Sequence, residues 1–189
     1  MKMNALVVYE SMFGNTRAIA RAIGEGIAGS GSGIEAMARN VADTDPDALE
    51  VDLLVVGGPT HMRRMTSPRT REMRARSGAK APGSWATDKE HWESAVLVGV
   101  REWLARLPRA PEGGQAAAFD TRLAYVPVVG AGPQIVLGLR SRGYRVDERP
   151  RCFFVESPQG PLRPGEHERA VAWGAALGLR LSQKFLPSA

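Results

Sequence analysis

Cysteine, histidine, lysine and long apolar runs are all scarce in this chain of 189 residues. The single cysteine, Cys152, excludes an intrachain disulfide framework and a cysteine-based structural zinc site. The three histidines, His61, His91 and His167, have no metal-ligand spacing, and no metal site is expected. No apolar run reaches the ~18 residues that a membrane-spanning helix needs. The N-terminal apolar run, Ala5 to Val8, is too short for a signal peptide and is soon interrupted by Glu10, so a cytoplasmic address is the expectation. No serine sits in a Gly-x-Ser-x-Gly turn, which argues against a hydrolase of that kind. What remains, with 43% hydrophobic and 24% charged residues, is an ordinary globular composition. One domain over residues 1–189 is expected, without membrane association.

The charge is less ordinary. Net charge is +5, carried by 21 arginines against 4 lysines. Between Arg63 and Lys80 stand Arg63, Arg64, Arg69, Arg71, Arg74, Arg76 and Lys80 against one acid, Glu72, a local +6 that matches the excess of the whole chain. Such a segment concentrates anionic partners. Nucleic acid is disfavoured as that partner, because the segment has no interleaved aromatics and matches no nucleic-acid module. The plain reading is a solvated helix face with a basic bias.

Apolar runs rich in Val, Leu and Ile alternate with helix-period segments, the pattern of a parallel α/β sheet. Strands are expected at Ala5–Tyr9, near Ile34–Ala38, at Asp52–Gly57, at Gln115–Phe119 and at Arg151–Val155. The third is apolar at consecutive positions, as in a strand covered by helices on both sides. A helix starting at Asn15 or Thr16 places Ile19, Ala20, Ile23 and Ile27 on one face. Others are expected over Ser94–Leu107, from Pro133 to a cap at Gly143, and from about Gly165 to Gln183. Trp103 and Trp173 fall on their inner faces, and Cys152 reads as a small buried residue of the fifth strand. Residues 77–92, rich in Gly, Pro, Ala and charge, read as a long irregular loop.

The first strand runs straight into Ser11-Met12-Phe13-Gly14-Asn15-Thr16 and then a helix. A helix N-terminus offers unpaired amides and a partial positive charge, so an anion is stabilised there without a lysine. Gly14 allows a tight turn and close approach to a phosphate, while Ser11, Asn15 and Thr16 add side-chain donors. The loop lacks the lysine of a nucleoside-triphosphate loop, and its glycine spacing is not Gly-x-Gly-x-x-Gly. A monophosphate fits it better than a triphosphate. The Gly29–Gly33 loop lies between a helix and the next strand, the reverse of the phosphate-binding order, and reads as a connecting turn.

Tyr9-Glu-Ser-Met-Phe-Gly-Asn-Thr16 resembles the FMN-phosphate loop of flavodoxins, with Phe13 where a threonine is usual. Asp52-Leu-Leu-Val-Val-Gly-Gly-Pro-Thr-His61 is similar to the flavodoxin third strand and the loop bordering the flavin ring. Gly58-Pro59-Thr60 followed by Arg63-Arg64-Met65 is also similar to the flavodoxin-like quinone reductases. The resemblance implies a doubly wound five-stranded parallel sheet of order 2-1-3-4-5 with helices on both faces. It implies FMN held by Ser11, Met12, Phe13, Gly14, Asn15 and Thr16 at the phosphate. Around the ring it implies Pro59, Thr60, His61, Met62 and Arg63, with Asp120, Thr121, Arg122 and Tyr125 in the loop after strand four. His61 or Met62 stands where flavodoxins often have a stacking tryptophan. In that sheet order the first and third strands are neighbours, and ligands bind at the carboxyl ends where the chain reverses direction.

Two functions from different classes follow. One is a redox protein, an electron carrier or an FMN-dependent oxidoreductase of the NAD(P)H:quinone type, with a redox partner or small quinone-like substrate. The other is a binding or interaction module of the same fold with weak or lost FMN affinity, motivated by Phe13, the missing tryptophan and the basic segment. Flavodoxins are often monomers and the reductases often dimers or tetramers, so a homo-oligomer stays open.

Overall fold

A computed structural model describes residues 3–31, 33–61, 63–76, 98–124 and 130–185. Five strands form one sheet: β1 Met3–Tyr9, β2 Ile34–Asn40, β3 Leu53–Pro59, β4 Gln115–Leu123 and β5 Arg151–Val155. Their order is β2-β1-β3-β4-β5 and every pairing is parallel. Among the described residues the α-helices are α1 Asn15–Ala28, α2 Pro68–Arg76, α3 Val100–Arg106, α4 Ala131–Ser141 and α5 Glu166–Phe185. This is the doubly wound arrangement expected from the alternation of apolar runs and helix-period segments.

Alternate side chains of a strand point to opposite faces, so a strand covered on both sides must be apolar throughout. Strand β3 meets that requirement with Leu53 and Val55 on one face and Leu54 and Val56 on the other. The first face packs under α1 and α5, where Ile19, Ile23 and Ile27 meet Trp173 and Leu177. Phe119, Phe153 and Trp173 form an aromatic cluster there, with centroids 6.1–6.5 Å apart and Phe119 edge-on to both of the others. The second face packs under α3 and α4 through Trp103, Leu104, Leu107, Ile135 and Leu139. Both tryptophans are core residues, and each indole N–H is satisfied, Trp103 by Thr44 O and Trp173 by Glu148. Helices α1 and α5 cross at backbone contact. A Cβ at Gly26 would stand 2.0 Å from Val171 O, and one at Gly174 2.2 Å from Ile23 O.

Several bounds differ from expectation, and two of the differences bear on the site. Strand β4 continues through Leu123, because Asp120 and Thr121 pair with Gly58 and Pro59 of β3 while Asp120 to Leu123 pair with β5. The polar run Asp120-Thr121-Arg122 is therefore strand and not the loop after it. Helix α4 starts two residues before Pro133, capped from a distance by Asp120. It ends as expected at Gly143, whose φ of 89° suits glycine. Helix α3 begins at Val100, and the expected start at Ser94, like the 77–92 loop, lies outside the described residues. Cys152 is half-buried, and burial together with the nearby Asp120 carboxylate pushes its thiol up to about 11.

The carboxyl ends of β1 and β3 lie side by side, with Tyr9 opposite Gly57. Helix α1 leaves β1 and packs on one face; the chain leaving β3 turns to α2 on the other side. A crevice opens between them.

Candidate functional site

The β1–α1 turn is short and its polar groups are left over. Glu10 N bonds to Gly57 O at 3.0 Å, holding the exit of β1 against that of β3. Gly14 then takes a left-handed conformation, φ 84°, and serves as the N-cap of α1 without a side-chain cap. An L-residue there would be strained, which is why glycine occupies the turn. The first bond of the helix runs from Ala18 N to Gly14 O, so the amides of Asn15 and Thr16 have no intrahelical acceptor. Ser11 is 1% exposed, yet its hydroxyl has no hydrogen-bond partner among the described residues. A buried hydroxyl left unpaired costs about 1–3 kcal/mol, so this one has an unmet bond to offer at the turn.

A cavity of about 500 Å³ opens at this turn, within the size range of small-molecule and cofactor sites. Ser11, Met12, Phe13, Asn15 and Thr16 line it from the first loop, and Pro59, Thr60, His61 and Arg63 from the second. Thr121 and Arg122 line it from β4. Two loops far apart in sequence thus meet around one space. The Thr16 hydroxyl is shared with Thr121 across 2.7 Å, and Asn15 Nδ2 donates to Gln159 O at 3.0 Å, so both side chains already have protein partners.

Among the residues expected at the site, Gly14 is not in the cavity lining, and neither is Asp120. It is fully buried and accepts from Thr60 Oγ1 at 3.1 Å and from Gly132 N at 3.0 Å, while Thr60 Oγ1 accepts from Ala131 N at 2.8 Å. Its carboxylate thereby caps α4, where the helix dipole favours negative charge. It also stands 3.8 Å from Arg122 Nε, too far for a hydrogen bond, and that buried Nε has no hydrogen-bond partner among the described residues. Met62 and Tyr125 lie outside the described residues. His61 is half-buried at the cavity and closes a tight turn with Arg64 through two backbone bonds of 2.9 and 3.0 Å. Inside that turn Arg63 has φ 65°, a left-handed conformation uncommon for a non-glycine residue. Among the described residues the charged groups that line the cavity are Arg63 and Arg122, which biases it toward anions, with Asp120 behind Arg122 offsetting part of that charge.

Sequence reasoning missed Thr66, Thr70, Leu123, Val155 and Pro158, the other described residues of the lining. It also missed a buried ionic network beneath the second loop. Thr66 Oγ1 donates to Glu10 Oε1 at 2.5 Å, and Arg71 donates to Thr66 Oγ1 at 2.9 Å and to Glu102 Oε2 at 2.7 Å. Val100 N closes on Glu10 Oε2 at 2.9 Å. Arg71 is fully buried, which corrects the reading of the whole basic segment as a solvated face. Glu10 is 2% exposed; burial raises its pKa above the ordinary carboxylate range, opposed by the Thr66 hydroxyl, the Val100 amide and the Arg71 charge. The one available signal was Glu10 itself, a lone carboxylate at the end of an apolar strand.

No family model matches the chain, and no curated protein matches it. Solved structures do. A flavodoxin from the domain Archaea is 22% identical over 95% of this chain and 99% of that one, with a TM-score of 0.60. Oxidised flavodoxin 1 from Bacillus cereus is 18% identical over 97% and 99%, also with a TM-score of 0.60. The flavodiiron protein from Giardia intestinalis is 19% identical over 96% of this chain, which spans 37% of that protein's length, with a TM-score of 0.56. Strand order, parallel pairing and these likenesses agree that the chain has the flavodoxin fold.

Proposed function

We propose that the protein binds FMN in the crevice between the β1–α1 and β3–α2 loops and works as a redox protein. The observation that carries this reading is the Ser11–Thr16 turn. An uncapped helix N-terminus and a buried, unpartnered hydroxyl meet at the wall of a cavity that Arg63 and Arg122 bias toward anions. The residues present fit the cofactor. Ser11 and the amides of Gly14, Asn15 and Thr16 would hold the phosphate; Pro59, Thr60, His61, Thr121 and Arg122 would border the ring. FMN, when bound, supplies transfer of one or two electrons between a donor and an acceptor. The chain supplies orientation and field: Thr16 and Thr121 lock the two walls together, and Asp120 keeps Thr60 in place.

Arg63 and Arg122 are the charged residues of the described lining, offset in part by the Asp120 carboxylate behind Arg122, and they favour added negative charge, so the flavin potential is expected to be less negative than in an acidic flavodoxin. That supports reduction of a quinone-like acceptor, with NAD(P)H or a protein as donor, over low-potential electron carriage. The test is the visible spectrum of the purified protein and of the protein after FMN addition. A bound flavin gives a band near about 450 nm; its absence after FMN addition overturns the proposal. Phe13, in place of a hydroxyl residue at the phosphate loop, favours a second reading, an interaction module without FMN, and the same spectrum decides between them.

A further inference from the structure

Helix α2 is built unlike the others. A surface helix normally holds its place by an apolar stripe turned to the core. Here, among the described side chains, Arg71 is the fully buried one, and Met73 is 60% exposed. The helix is held by charge and capping: Arg71 by Thr66 and Glu102, and the first turn by Ser67, whose Oγ accepts from Thr70 N at 3.3 Å and whose carbonyl accepts from Arg71 N at 3.0 Å. Its outer face is thereby left with Arg69, Glu72 and Met73 exposed. The turn that precedes it adds Arg63 and Arg64, both exposed.

The guanidinium groups of Arg63, Arg64 and Arg69 make no hydrogen bond or ion pair among the described residues. By contrast, Arg106, Arg145, Arg169 and Arg180 each pair with a carboxylate. Arg63 lines the cavity, and Arg64 and Arg69 are exposed one and six residues further along the same segment. One acid, Glu72, shares the face.

We propose that the 63–73 surface is the docking face for an acidic electron-transfer protein. This rests on the FMN reading, because it names the partner of that site. Arginine and methionine are enriched at the centres of protein interfaces, and exposed charge of one sign speeds encounter with a partner of the other. A small anion is the poorer occupant, for the outer side of a helix is convex and small-molecule sites are concave. Bound there, a partner's redox centre comes to rest beside the cavity mouth, where electrons enter or leave.

The experiment measures binding of an acidic [2Fe–2S] ferredoxin to the full chain, with and without FMN, at roughly 20 and 200 mM salt. The control is a basic cytochrome c, and the variant is R64E/R69E, which leaves the cavity lining untouched. Expected are ferredoxin binding that weakens at least about tenfold between the two salt levels, a further loss of about tenfold in the variant, and an unchanged FMN affinity. Ferredoxin binding that is salt-independent, equal in the variant, or no tighter than that of cytochrome c overturns the proposal. So does tighter binding to duplex DNA than to ferredoxin. If ferredoxin binds as expected but FMN never does, the surface docks an acidic protein, but the redox reading and with it the electron-transfer role of the face fall; if FMN binds and ferredoxin does not, the docking face alone falls.

Discussion

Replacing Arg71 by methionine removes a fully buried guanidinium that donates to Thr66 Oγ1 at 2.9 Å and to Glu102 Oε2 at 2.7 Å. The Glu102 side chain is 32% exposed and can return to water. Glu10, 2% exposed, cannot, and keeps only the Thr66 hydroxyl and the Val100 amide against its charge. Removing one partner of a buried ion pair costs about 3–5 kcal/mol. Because one of the two carboxylates rehydrates, the lower end applies, about 3 kcal/mol, which in a domain of this size lowers Tm by roughly 6–12 °C. A solvated surface arginine would cost no more than about 0.5 kcal/mol, so urea and thermal unfolding separate the two cases cleanly.

The pH dependence sharpens this test. Glu10 has a folded pKa raised above its ordinary 4.5, so the folded state holds the proton more tightly than the unfolded chain. Its contribution to stability is thus fully present below 4.5 and is lost as pH rises through the folded value. Without Arg71 that loss deepens, and the deficit of Arg71→Met is expected to be smaller at pH 5 than at pH 8. Adding Glu10→Gln removes the buried charge itself, so the double variant is expected to be more stable than the sum of the single losses by about 1–3 kcal/mol. A deficit below about 1 kcal/mol, independent of pH and additive with Glu10→Gln, would refute the reasoning.

Three further outcomes follow from the site. Ser11→Ala removes an unpaired buried hydroxyl and should leave the cofactor-free protein as stable or about 1 kcal/mol more stable, while FMN affinity falls roughly 10- to 100-fold; parallel losses of stability and affinity would count against the cradle. Arg122→Gln takes one positive charge from the cavity wall and should lower the flavin potential by tens of mV, on the order expected for one partly screened charge; a redox titration showing no change or a rise contradicts this. Cys152, with its thiol raised from 9.0 to about 11, should react with iodoacetamide at pH 8 about 100-fold more slowly than an unshifted thiol, the rate climbing steeply above pH 9; reaction at the unshifted rate would show that the burial argument fails.

The sheet was legible because its code is local. The consecutive apolar residues of Leu53–Val56 demand cover on both faces, and Ile19, Ile23 and Ile27 repeat at helical spacing. The phosphate turn was legible for the same reason, since Ser11, Gly14 and Thr16 lie within six residues of chain between a strand and a helix. What escaped was settled by partners distant in sequence. Asp120 reads as loop polarity, but it caps a helix that begins 11 residues later and lies inside a paired strand. Arg71 reads as one more solvated arginine until Glu10, 61 positions earlier, and Glu102 are seen around it. Thr66 reaches the cavity wall while bonded to Glu10 at the end of β1, a contact 56 positions apart in sequence.

The central claim is that the turn from Ser11 to Thr16 binds a phosphate monoester, and comparing FMN with riboflavin tests it most directly. The two ligands share the ring and the ribityl chain and differ in the phosphate alone. Fluorescence titration of the full chain is expected to show FMN binding at least about 100-fold more tightly, with inorganic phosphate competing against FMN. Equal affinity for the two flavins, or no binding of either, would contradict the account.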